Sequence, residues 1–181
     1  MTYARQVMMI TMILGFGLLG FVTVGVAEDG EIRATAPWSG DGYAFPIDDD
    51  RAYMVAVYSG TIFVDKGEGV LHTGSIVCPG TVEVDLSIGR KSGQGHCIIT
   101  NQDGDRVYAK FTCTGDFRGC AGPFTLVSGT GKFRGITGEG KMISQLESRD
   151  LEVVGGFESA HLRGEGVAFW PKLTYHIPDA Q

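Results

Sequence analysis

The chain has 181 residues, 28 of them glycine, and a formal net charge of -6. Hydrophobic residues make up 43% and charged residues 20%, which excludes a disordered acidic tail, and the negative balance argues against nucleic-acid binding. With only 6 prolines, the glycine excess fits neither collagen nor a Pro-rich linker, and the length allows one domain.

The first segment reads as an address. Val7 to Ala27 carry no charge, Arg5 precedes them, and Glu28, Asp29 and Glu31 follow at once. This is the pattern of a secretory signal peptide over residues 1–27, with Gly25 and Ala27 at the -3 and -1 positions of a cut. An uncleaved anchor is the alternative, because about 20 apolar residues can span a bilayer. Gly15, Gly17, Gly20 and Gly25 weaken that helix, so cleavage is favoured. The expected location is secreted or periplasmic, with membrane contact only through this segment if it is kept.

Residues 28–50 read as an irregular N-terminal arm. Pro37, Gly40, Gly42 and Pro46 break any period, and Asp48-Asp49-Asp50 reads as a solvated loop in preference to a calcium site. From residue 51 to 181 the pattern predicts a single domain of short strands. Tyr53 to Val64 and Val70 to Cys78 come first. Thr81 to Ile88 then alternates strictly, with Val82, Val84, Leu86 and Ile88 on one face. Gln94 to Thr100 and Arg106 to Thr114 form a hairpin around Asn101-Gln102-Asp103-Gly104-Asp105, with Gly104 at the position that needs positive φ. In that register Cys97 opposes Ala109, and Cys97, Ile99, Val107, Ala109, Phe111 and Cys113 share one face. Pro123 to Val127, Gly135 to Leu146, Leu151 to Gly155 and His161 to Pro171 complete the series. No helical period of useful length follows the leader. Eight or nine strands without helices predict an all-β antiparallel barrel or sandwich.

All four cysteines lie after the leader, and an even count in an exported chain predicts two disulfides. Three pairings exist. Cys113 sits four residues past the partner of Cys97, about 13 Å away at strand rise, which exceeds disulfide reach. Cys113 and Cys120 flank a short loop. Local geometry therefore favours Cys113–Cys120 with Cys78–Cys97. A zinc site is disfavoured because no Cys-x2-Cys pair occurs. No metal and no cofactor are expected.

Six Gly-x-Gly triplets start at Gly40, Gly67, Gly93, Gly129, Gly138 and Gly164. Each strips two side chains from one face of a strand, which a closed barrel uses for bending and close approach. The stretch Gly129-Thr130-Gly131-Lys132-Phe133 is no phosphate loop, since Phe133 stands where a Ser or Thr hydroxyl would hold the metal.

The run Ser128-Gly129-Thr130-Gly131-Lys132-Phe133-Arg134-Gly135, continuing through Gly138-Glu139-Gly140, resembles the Gly-Thr-Gly-x-aromatic-x-Gly segment of dirigent proteins and allene oxide cyclase-like barrels. The likeness covers roughly residues 55 to 170. It implies an eight-stranded closed antiparallel barrel, calycin-like in outline, with an apolar lumen, and it implies association into homo-oligomers. Plant members guide or catalyse cyclisation of bound hydrophobic molecules without a cofactor. None of their catalytic groups maps onto a matching motif here.

The chemistry candidates are few. His72, His96, His161 and His176 are isolated, and no Gly-x-Ser-x-Gly elbow occurs. Glu139 and Glu165 sit between paired glycines. They would enter the lumen as acids or bases only if those glycines face outward. Tyr58, Phe63, Phe111, Phe124 and Met142 are the candidate lining for a small hydrophobic ligand. Lumen binding is the leading reading, and a cofactor-free cyclase or isomerase is the alternative. A surface adhesion module would need exposed aromatics, for which Trp38, Trp170 and Tyr175 are the candidates.

Overall fold

The computed structural model describes residues 27–66, 72–155 and 159–178, with the backbone alone for 148–155. The leader up to residue 26 and the Gly67-Glu68-Gly69 triplet lie outside the described residues. Eight antiparallel strands close into one barrel, each paired with its sequence neighbours and the first with the last. They are β1 (Glu28–Pro46), β2 (Arg51–Asp65), β3 (His72–Asp85), β4 (Arg90–Asn101), β5 (Arg106–Asp116), β6 (Gly119–Gly129), β7 (Thr137–Gly155) and β8 (Ala160–Ile177). A single 3-10 turn, Gly131–Phe133, interrupts the series. The all-β closed barrel expected from the sequence is therefore the fold.

Three boundaries differ from the sequence reading. The irregular arm of 28–50 is mostly strand: β1 runs from Glu28 to Pro46 and bonds both β2 and β8. Without it the barrel would have two free edges. Its ladder to β2 is interrupted at Ala36 and Pro37, where proline has no N–H to give. Two pairs of expected short strands are each one long strand. Val70–Cys78, whose residues 70 and 71 lie outside the described residues, and Thr81–Ile88 are joined in β3 from His72 to Asp85, and Gly135–Leu146 and Leu151–Gly155 are joined in β7. Leu86 and Ile88 consequently fall in the turn after β3 and are 54% and 68% exposed.

The β4–β5 hairpin has the expected register, with Cys97 opposite Ala109. Its turn is fixed locally. The Asn101 side-chain oxygen accepts from the Asp103 and Asp105 N–H groups, both at 2.9 Å, and Gly104 has φ +87°. Asp48 organises the β1–β2 loop in the same way, accepting from the Asp50 N–H and from Arg51.

Inward and outward residues alternate along every strand, so the core is the lumen. One end is sealed. Ile62, Val107, Phe124, Leu126, Ile136 and Leu173 are buried there. The segment 130–136 folds over this end. The Thr130 hydroxyl accepts from the Arg106 N–H at 2.9 Å, the Asp105 carboxylate accepts from the Lys132 N–H at 3.3 Å, and Lys132 pairs with Asp103 at 2.6 Å. Gly131 is left-handed with φ +53°, and a Cβ there would meet the Asp105 carboxylate. The glycine-rich run is thus a fixed cover that inserts Ile136, and its lysine is engaged in an ion pair with Asp103.

Candidate functional site

The other half of the lumen is open. A cavity of about 360 Å³ lies between the two tryptophans and the loops β1–β2, β3–β4 and β5–β6. That is the lower end of the ~300–1,000 Å³ range of small-molecule sites. An eight-stranded barrel can be filled by side chains or hold one ligand, and the choice here follows from residue size. Around the mouth β1 and β2 turn Ala44, Ala52 and Ala56 inward, while Tyr43, Phe45, Tyr53, Val55 and Val57 face out. Small residues inside leave the space. Leu86 and Phe117 line the threshold and are half exposed.

Four of the large rings inside are seated against glycine. Tyr58 lies opposite Gly40, Trp38 opposite Gly166, Phe111 opposite Gly95, and Phe124 opposite Gly140. A Cβ at Gly40 would come within 2.9 Å of the Tyr58 ring, and one at Gly166 within 2.7 Å of Trp38 Cε2. The glycine excess therefore provides flat seats for lumen aromatics as well as curvature. Trp38 and Tyr58 meet edge to face at 5.3 Å, as do Phe124 and Trp170 at 5.1 Å.

Both disulfides face this cavity. Cys78–Cys97 ties β3 to β4 with Cα atoms 4.1 Å apart, and Cys113–Cys120 ties β5 to β6 at 5.4 Å. These are the pairings favoured by the sequence, and no described cysteine is free.

Polar groups in the wall are sparse. The Trp38 and Trp170 indole N–H groups are buried with no hydrogen-bond partner, an omission that costs about 1–3 kcal/mol per group. Burial pushes the Tyr58 hydroxyl above its ordinary pKa and holds Lys91 below its own, Asp116 opposing the latter. Lys91 lies at the mouth, directly across from Val84 on β3 and Gly115 on β5. Ser59 and Ser144 add hydroxyls, and Arg163 a guanidinium that is held by Asp41. Among the described residues, no carboxylate, carboxamide or imidazole lines the cavity.

Of the five expected lining residues, Tyr58, Phe111 and Met142 border the cavity. Phe124 is fully buried toward the sealed end, against Trp170. Phe63 faces outward and is 37% exposed. Residues 58 and 63 have opposite parity on one strand, so they cannot share a face. Glu139 and Glu165 do not enter the lumen either. Their flanking glycines face inward, Gly164 against the cavity and Gly140 against Leu173, so the carboxylates are on the outer surface. Glu165 there pairs with Ser39 and Glu147. The histidines are likewise outside. His161 bonds Asp41 at 3.0 Å beside Arg163, and His176 bonds Asp29 at 2.8 Å. The hydrogen bonds from His161 and, next in size, Arg163 hold Asp41 below the usual carboxylate range.

Sequence reasoning missed Lys91, Trp38 and Trp170 as lumen groups. Trp170 is 2% exposed, so the two tryptophans form no adhesion surface. Lys91 was legible in principle, since it shares parity with Cys97 along β4. No group of three or more metal-ligating side chains occurs among the described residues.

No family model matches the chain, and no curated protein matches it by sequence.

Proposed function

We propose that this protein is an exported carrier that holds one small apolar molecule in its lumen. The observation that carries the reading is the 360 Å³ apolar cavity, sealed at one end and open at the other. The two disulfides support an oxidising compartment, in keeping with the leader. The eight-stranded closure is the architecture that the resemblance to allene oxide cyclase-like and dirigent-like barrels implies. The cyclase alternative would need a base or acid at the bound molecule, and the carboxylates considered for that role lie outside, so binding is preferred.

The test is titration of the mature protein with the neutral fluorescent probe N-phenyl-1-naphthylamine, alongside native mass spectrometry of freshly exported material. Saturable binding of one probe per barrel is expected, abolished by Ala56→Phe, which fills the cavity from β2. Absence of saturable binding together with absence of any co-purifying mass would overturn the reading. Export is tested separately by N-terminal sequencing of secreted material, which should begin at Glu28.

A further inference from the structure

The turns at the two ends of the barrel present opposite chemistry. At the sealed end the β4–β5 turn is the polar run Asn101 to Asp105, and the 130–136 segment exposes Lys132 and Arg134. At the mouth the tips are apolar. Ile47 stands in the β1–β2 turn, Leu86 and Ile88 in the β3–β4 turn, and Phe117 in the β5–β6 turn, each more than half exposed. Turns favour Gly, Pro, Asn, Asp and Ser, so these four tips run against turn preference at one end only. Leu86 and Phe117 also line the cavity, so its apolar wall continues onto the tips. The backbone of these turns is already bonded. The Ile47 N–H donates to the Arg51 carbonyl at 2.9 Å, and the Leu86 N–H to the Asp50 carbonyl at 2.7 Å, which ties two turns together. The Asp85 carboxylate accepts from the Ser87 and Ile88 N–H groups at 3.0 and 3.3 Å. Asp116 accepts from the Arg118 and Gly119 N–H groups at 2.8 and 3.3 Å. Backbone that enters a lipid phase must have its polar groups paired, because no water is there to bond them. A protein partner makes no such demand, since it can supply the bonds itself. The Asp48-Asp49-Asp50 run beside Ile47 and a net charge of -6 give no attraction to anionic lipid.

We propose that the mouth docks reversibly on an electrically neutral lipid surface, with Ile47, Leu86, Ile88 and Phe117 entering its boundary, and that apolar cargo passes there between bilayer and lumen. This rests on the lumen being the ligand site. The tips gain burial in the acyl boundary, and the cargo avoids water, which its apolar surface disfavours. The acidic run keeps the insertion shallow and the docking reversible.

The experiment is flotation of the mature protein with phosphatidylcholine vesicles, run beside dye binding in vesicle-free buffer. The protein should float with neutral vesicles, and admixed phosphatidylglycerol should not raise the bound fraction. Ile47 and Ile88 lie outside the cavity lining. Ile47→Asp and Ile88→Asp should each lower the vesicle partition coefficient at least tenfold and leave dye binding unchanged. Phe63→Asp, at an exposed ring on the outer wall beside buried Ile62, should leave partition unchanged. Absence of flotation, flotation that survives both tip variants, or binding to anionic vesicles alone would each overturn the proposal. Concentration-dependent dimers in place of flotation, dissociated by the same two variants, would assign the tips to a second copy and overturn it too. Dye binding by the parent protein decides the carrier reading separately: its loss is the failure of that reading, and its retention without flotation is the failure of docking alone.

Discussion

The two ends of the barrel share the same eight strands and differ in what those strands turn inward. At the sealed end the inward residues are large, Phe124, Leu126, Ile62 and Leu173, and Ile136 is added from outside the sheet. At the open end β1 and β2 contribute Ala44, Ala52 and Ala56, with Met54 between them, and Val82, Val84 and Leu162 line the cavity from β3 and β8. Side chains therefore fill one end, and the other keeps space for a guest inside a wall that is itself buried. A barrel need not trade stability for a cavity uniformly along its axis; here the two demands are met in different layers of the same wall.

Substitutions should separate the layers. Phe124→Ala is expected to have the largest effect, a loss of about 3–5 kcal/mol, because its ring is fully enclosed and cannot be replaced by collapse. Val84→Ala, in the open layer, removes two carbons and should cost about 1.6 kcal/mol. Urea unfolding of the two variants measures the difference, and equal losses would erase the distinction between the ends. Gly166→Ala comes next, with about 1–3 kcal/mol lost to overpacking against Trp38, read by unfolding and by a changed Trp38 indole signal in the ¹H–¹⁵N spectrum. Ala56→Phe, by contrast, should leave the unfolding midpoint nearly unchanged while removing dye binding.

The mildest expected effect is on pH dependence. Lys91 titrates below the ordinary lysine value because it is partly buried, with Asp116 opposing the shift and apolar Val84 across from it. The folded state therefore disfavours the ammonium, and stability should rise with pH between that lowered pKa and the ordinary lysine value. Lys91→Met should remove this rise, read as urea midpoints across alkaline pH, and an unchanged slope would assign it to other groups. Lys132→Met, which breaks the exposed pair with Asp103, should change unfolding barely measurably.

Local chemistry was the legible part of the fold. The Asn101 to Asp105 turn announces itself because one side chain and one glycine define it, and that turn sets the parity that selects the disulfide partners. β1 was illegible because prolines and glycines lower strand propensity, and its order comes from two neighbours that are distant in sequence. The cavity was hidden for another reason. From Tyr43 to Val57 both strand faces are apolar, so hydropathy does not say which looks inward; only closure of the barrel assigns the alanines to the lumen. Glu139 and Glu165 were conditional on the facing of their glycines, which turn inward against neighbouring strands, Gly140 on Leu173 and Gly166 on Trp38.

The disulfides carry one more consequence. Both lie in the arc from β3 to β6, one per hairpin, while β7, β8, β1 and β2 carry no covalent tie. The β7–β8 seam is also irregular, its pairing shifting between Gly140 and Ile143 and again between Glu147 and Glu152. The wall is therefore covalently tied on one side only. Reducing both disulfides should speed amide exchange in β3 to β6 and leave β7, β8, β1 and β2 little changed.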